Sequence, residues 1–255
     1  MQTFSSEGVE IAFIDERPTG GGDAGAILLV HGFASSMRDN WVDPGWVSLL
    51  ASNGMRVIAI DIRGHGQSQK LYDPALYAPP IMAEDCRRLL DHHGIARADV
   101  MGYSMGARIC AFLALEHPER VRSAIFAGLG GNMVRPMAGT GPIAHALEAE
   151  SIDQVANAAA RTFRAFAEKT GSDLKALAAC IRGSREPITR EAVASLKLPV
   201  LVVTGGEDVI GGSAEELAQL IPGAEAVTVP RRDHMRTVGD RVYKEAVLDF
   251  LRRRA

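Results

Sequence analysis

Five residues, Gly102-Tyr103-Ser104-Met105-Gly106, stand between a short apolar run, Ala98–Met101, and a stretch of helical character, Ala107–His117. A serine between two glycines at a strand-to-helix junction sits on a turn too tight for bulky flanking side chains, and the strain lifts its hydroxyl clear of the backbone. Such a hydroxyl can attack a carbonyl carbon if a base takes its proton and a third group orients the base. Histidine suits the base because it titrates near neutrality. The oxyanion formed on attack needs two donors aimed at the developing charge. The Met105 N–H, next to the serine and at a helix N-terminus, is positioned to be one of them.

The rest of the chain reads as the frame for that turn. Val9–Phe13 alternates as a half-buried strand does, and 18–25 is a glycine-rich turn. Ala26–Val30, Arg56–Ile60, Ala98–Met101, Val121–Phe126 and Pro199–Val203 are short apolar runs, as expected of strands buried on both faces; Ala226–Val229 is the last. Helical runs lie between them: Trp46–Ala51, Ile81–His92, Ala107–Leu115, Ala214–Leu220 and Tyr243–Leu251. From 131 to 191 no strand candidate appears, only alanine-rich helical stretches at Ile143–Glu150, Val155–Lys169 and Leu174–Ile181. Alternating strands and helices predict an α/β fold with a mostly parallel sheet covered on both faces. Ligands of such sheets bind beyond the carboxyl ends of the strands. His31, Asp61, Ser104, Asp208 and the stretch ending at His234 all fall at or just past such ends.

Composition narrows the chemistry. The chain has 255 residues, 47% hydrophobic and 23% charged, with a formal net charge of −3, so no basic excess argues for nucleic acid. Arg252-Arg253-Arg254 reads as a solvated helix end. Cys86, Cys110 and Cys180 are few, odd in number and widely spaced, which predicts reduced core thiols. With no basic-then-apolar leader and no run of about 20 apolar residues, a cytoplasmic location and no membrane partner are expected. No H-x-x-x-H or H-E-x-x-H pair occurs, so neither a metal nor another cofactor is expected.

Together these motifs resemble the α/β-hydrolase fold family over nearly the whole chain. His31-Gly32-Phe33 follows the third strand as that family's oxyanion loop does. Asp61-Ile62-Arg63-Gly64-His65-Gly66-Gln67-Ser68 resembles its D-x-R-G-x-G-x-S turn, and Gly102–Gly106 its nucleophile elbow. Gly205-Gly206-Glu207-Asp208 and Asp233-His234 follow the strands that carry its acid and its histidine, in the order Ser, Asp, His. The resemblance implies an eight-stranded, mostly parallel sheet flanked by helices. It implies a core formed by 1–130 and 192–255, with 131–191 as a helical cap. It assigns Ser104 as nucleophile, His234 as base, Asp208 rather than its neighbour Glu207 as acid, and the N–H groups of Phe33 and Met105 as oxyanion donors. Ala127-Gly128-Leu129-Gly130, where an alternative acid of the family would fall, holds no carboxylate.

Other polar residues read as structural. His31 and His65 position loops, His92, His93, His117 and His145 are peripheral, and Asp233 shapes the loop beside the base. Arg63 knits loop carbonyls, with a substrate carboxylate clamp as its alternative. Arg38 and Asn40 are expected at the pocket mouth, with capping of the following helix as the alternative for Asn40, and Asn40-Trp41 is reminiscent of carbon–carbon bond hydrolases of the family. Expected pocket residues are Tyr103, Leu129 and Val209 from the core, then Met133 and Met137 at the start of the cap. Ile143, Phe163 and Phe166 complete the set. Those walls suit a small-molecule partner with an apolar acyl or aryl group. Hydrolysis of a small to medium carboxylic ester through an acyl-enzyme is the first expectation. Carbon–carbon, lactone or amide hydrolysis, cofactor-free perhydrolysis, and non-catalytic ligand binding are the alternatives. Family members that open haloalkanes or epoxides use an aspartate at the elbow, where this chain has Ser104.

Overall fold

The computed structural model describes residues 1–19, 24–136, 140–184 and 186–254. Eight strands form one sheet: β1 (Gln2–Ser6), β2 (Val9–Glu16), β3 (Ala26–Val30), β4 (Arg56–Ile60), β5 (Ala98–Tyr103), β6 (Val121–Ala127), β7 (Val200–Gly205) and β8 (Glu225–Val229). Their order is β1-β2-β4-β3-β5-β6-β7-β8. β2 pairs antiparallel with β1 and β4, and every other pairing is parallel. The α/β architecture expected from the apolar runs is therefore present, with one strand more than they marked. β1 buries only Phe4 and Ser6 of its five residues, so it carries little apolar signal.

The helices are α1 (Trp46–Ser52), α2 (Pro79–His92), α3 (Met105–Glu116), α4 (Thr140–Glu148), α5 (Ala158–Lys169) and α6 (Leu174–Gly183). They continue with α7 (Arg190–Ala194), α8 (Ala214–Ala218), α9 (His234–Thr237) and α10 (Arg241–Arg253). Side-chain alternation along the parallel strands splits the core in two. Leu28, Val30, Val100 and Val202 face a cluster with α2, α3 and α8. Ile27, Leu29, Met101 and Val203 face the opposite cluster, with Trp46 of α1 and Tyr243, Val247 and Phe250 of α10. Burying one such Leu or Val side chain contributes about 1.5–3 kcal/mol.

Helix starts are locally encoded: the side chains of Asn157, Asp173, Thr189, Ser213 and Asp240 each accept a first-turn backbone N–H. Between β6 and β7 the described chain is helical, with no strand. α4, α5 and α6 pack on one another around Ala144, Leu147, Ala167 and Leu177. The short α7, which straddles the expected boundary at 191/192, instead packs Val193 into the core beneath α3.

Parallel register brings the site together. Val30 lies beside Ile60 and Gly102, Gly102 beside Phe126, Ala127 beside Val203, and Gly205 beside Val229. The loops after β3, β4, β5, β7 and β8 consequently emerge at one edge.

Candidate active site

Ser104 joins β5 to α3 with φ 54° and ψ −113°, a left-handed conformation that costs a non-glycine residue energy. The flanking glycines are required by space. A Cβ on Gly102 would lie 2.2 Å from the Gly106 carbonyl oxygen, and one on Gly106 would lie 2.0 Å from that of Val30. The Ser104 N–H donates to the Ala127 carbonyl at 2.7 Å, tying the elbow to β6.

His234 opens α9 behind its N-cap Asp233, whose side chain accepts the Arg236 N–H at 2.8 Å. Its Nε2 lies 3.0 Å from Ser104 Oγ and its Nδ1 2.8 Å from Asp208 Oδ2. Asp208 Oδ1 accepts the Ile210 N–H at 3.0 Å and the Gly211 N–H at 2.7 Å, so the buried carboxylate is held at both oxygens. With Nδ1 protonated toward Asp208, Nε2 has its lone pair facing the serine. That arrangement can take a proton from the hydroxyl and pass it on. Glu207 is exposed, and its backbone N–H is tied to the Arg232 carbonyl at 2.9 Å.

Phe33 and Met105, whose N–H groups are the expected oxyanion donors, both line the cavity that contains Ser104. Among the described residues, neither the Phe33 nor the Met105 N–H is given to a protein acceptor. The Ser104 carbonyl accepts the Ala107 N–H at 3.0 Å, which fixes the peptide plane carrying the Met105 N–H. Phe33 is fixed by two buried side chains. Asn40 Oδ1 accepts the Gly32 N–H at 2.8 Å, and His31 Nδ1 donates to the Gly32 carbonyl at 2.8 Å. In a trans peptide the carbonyl and the following N–H point opposite ways, so anchoring the Gly32 oxygen aims the Phe33 N–H.

His31 Nε2 in turn accepts the Ile62 N–H at 3.0 Å, and complete burial pushes the imidazole down to about 4. His65 is pushed to about 3 by burial and the neighbouring His31 ring, and its Nδ1 donates to the Arg63 carbonyl. Both stay neutral at physiological pH. Asp61 links the two loops, accepting the Met37 N–H at 2.7 Å and the Gln67 N–H at 2.8 Å. Asn40 therefore neither caps a helix nor reaches the mouth, and Arg38 points into solvent. Arg63 is buried in a two-pronged pair with Asp85, both bonds 2.7 Å, plus the Leu76 carbonyl, so it is unavailable as a substrate clamp.

Ser104 opens into a cavity of about 480 Å³ between the strand edge and the helices α4–α6. Phe33, Met105, Leu129, Ile143 and Phe163 form apolar walls, and Val209, 89% exposed, stands at the rim. Three expected pocket residues lie elsewhere. Tyr103 points with Met101 to the opposite face of the sheet and donates its hydroxyl to the His234 carbonyl, holding that residue's backbone from behind. Met133 is buried under α3, and Phe166 packs among the cap helices. Met137 lies outside the described residues. Sequence reasoning missed Arg108 and Ser184, both on the cavity wall. Arg108 was legible, since it lies one helical turn beyond Ser104 on the same helix. Among the described residues no His, Cys, Asp and Glu side chains converge as a metal site, and no helix is long and apolar enough to cross a membrane.

Residues 25–141 match the family described as alpha/beta hydrolase fold. The chain is 33% identical, over an alignment of 233 residues that covers 84% of this chain and 60% of the relative, to the dihydrolipoyllysine-residue acetyltransferase component of the acetoin cleaving system of Pseudomonas putida. Fluoroacetate dehalogenase of Burkholderia sp. is 36% identical over 126 residues, 48% of this chain and 40% of the relative. In neither case does the match span two thirds of the relative's length. The enol-lactonase from Burkholderia xenovorans LB400 superposes with a TM-score of 0.83 at 23% identity, over 98% of this chain and all of that one, a likeness of fold.

Proposed function

We propose that the chain is a serine hydrolase of the α/β-hydrolase fold family, acting through an acyl-enzyme on small to medium carboxylic esters. One observation carries the reading: the unbroken hydrogen-bond chain from Asp208 through the His234 imidazole to Ser104 on a strained elbow. In the proposed reaction His234 Nε2 takes the Ser104 proton as Oγ bonds to the ester carbonyl carbon. The resulting oxyanion is received by the N–H groups of Phe33 and Met105, each such donor supplying about 3 kcal/mol of transition-state stabilisation. Collapse breaks the bond to the alcohol oxygen, which leaves with the proton from His234. Water then repeats the cycle on the acyl-enzyme and releases the acid.

A cavity of about 480 Å³ accommodates a short acyl or aryl group, and the helices α4–α6 are assigned the role of limiting its depth. Ser104 favours acyl transfer over opening of a carbon–halogen or epoxide bond, because a histidine-activated hydroxyl is matched to an sp2 carbonyl carbon whose oxyanion the two N–H groups can receive. The test is turnover of p-nitrophenyl acetate and butyrate by the wild type and by Ser104→Ala and His234→Ala. Losses of about 10³-fold or more in both folded variants are expected. Undiminished turnover in either would remove that residue from its role.

A further inference from the structure

Three arginines are buried among the described residues: Arg63, Arg108 and Arg164. Arg63 is paired with Asp85 and Arg164 with Glu168. Among the described residues Arg108 has no carboxylate partner and one side-chain hydrogen bond, from Nη1 to the Met133 carbonyl at 3.1 Å. Only 3% exposed, it nevertheless lines the cavity that contains Ser104. Burial lowers the guanidinium to about 10, so it remains a cation at neutral pH. A buried charge without a partner is costly, whereas one awaiting an anionic ligand is offset when that ligand binds.

Two further features point the same way. Among the described lining residues the charged side chains are Arg108 and Arg135, both cations, and Arg135 at the rim is already paired with Glu216. Ser184, 1% exposed on the same wall, has an Oγ with no nitrogen or oxygen partner among the described residues, only the weak Cys180 thiol beside it. A cation with free donors and a weakly bonded hydroxyl, set in a largely apolar wall, match a carboxylate on a short apolar stem. Orientation follows from the chemistry. The alcohol must take its proton from His234, beside Asp208 and the exposed Val209, so the acyl portion runs the other way, along α3.

We propose that the acyl portion of the substrate ends in a carboxylate bound by Arg108, making the preferred substrates half-esters of short dicarboxylic acids or their cyclic equivalents. This rests on the serine-hydrolase reading above. Arg108 is four residues past Ser104, a rise of ~6 Å along a helix, and both side chains line one cavity, a span suited to a short diacid.

The experiment compares monomethyl glutarate with methyl hexanoate and monomethyl adipate with methyl heptanoate, following acid release at pH 7.5. The wild type is expected to show a higher kcat/KM for the charged member of at least one pair. Arg108→Gln and Arg108→Leu should each lower the charged-to-neutral ratio by about 10–100-fold, the loss of a charged hydrogen-bonded contact. Glutarate binding to Ser104→Ala protein, measured by calorimetry, reads the same contact without chemistry and should be abolished by adding Arg108→Leu. Equal or better turnover of the neutral esters by the wild type, abolished by Ser104→Ala, overturns this inference and leaves the serine hydrolase standing. No turnover of either class counts against the serine hydrolase, and glutarate binding then decides on Arg108: absence of binding overturns the proposal.

Discussion

Replacing Asp208 with Asn tests how the base is prepared, and the surrounding hydrogen bonds dictate the outcome. Asp208 Oδ1 accepts two backbone N–H groups, from Ile210 and Gly211, while Oδ2 faces His234 Nδ1. An asparagine must keep its oxygen toward the two N–H groups, because its NH2 there would set donors against donors. The NH2 is then forced toward Nδ1, which becomes an acceptor and moves the imidazole proton to Nε2. Nε2–H faces Ser104 Oγ as a donor and cannot take the serine proton. The expected cost is ~10⁴ in kcat, equivalent to about 5.4 kcal/mol of barrier. KM should change little, since Asp208 is not on the cavity wall. Stability should fall by only about 1–2 kcal/mol, because each bond survives in weaker, neutral form. The assay is steady-state hydrolysis of p-nitrophenyl butyrate, with thermal unfolding as the control for folding. A folded Asp208→Asn enzyme less than tenfold slower than wild type would refute the argument that Asp208 sets the tautomer.

Further outcomes follow from the same geometry. Gly106→Ala drives a Cβ to 2.0 Å from the Val30 carbonyl oxygen, and a rigid backbone cannot yield cheaply, so a loss of about 1–3 kcal/mol and a Tm lower by several degrees are expected. Arg63→Met strands the Asp85 carboxylate and should cost about 3–5 kcal/mol in denaturant unfolding, with Arg63→Met/Asp85→Leu recovering most of it. His31, lowered from 6.5 to about 4, is neutral when folded but protonates at about 6.5 when unfolded. The unfolded chain therefore binds more protons across that window. Its contribution, of order 3 kcal/mol, is complete above pH 6.5 and is lost as pH falls toward 4. Tm against pH should have a shallower slope between pH 4 and 6.5 in His31→Gln; an unchanged slope would show that His31 does not titrate in this way.

What could be read in the sequence separates by the range of the signal. β3, β4, β6 and β7 announce themselves because strands covered on both faces carry runs of four or five apolar residues, and Ser104 because its turn admits little beside glycine. β1 was invisible: an edge strand of Gln, Thr, Phe, Ser and Ser whose inward Ser6 is satisfied by Asp85, 79 residues away. The five residues of α7 are too few to show a period. Tyr103 was misplaced although alternation carries the answer, since residues two apart on a strand share a face and Met101 is core. Asn40 and Asp85 could not be assigned, because their roles exist only once the chain folds the Gly32 and Arg63 loops against them.

Intact-mass measurement after treatment with a fluorophosphonate reads the nucleophile itself. One adduct per chain is expected, located on the peptide containing Gly102–Gly106, absent from Ser104→Ala and greatly slowed in His234→Ala. Folded wild-type protein that takes no adduct, or one that labels equally well in Ser104→Ala, would contradict Ser104 as the nucleophile.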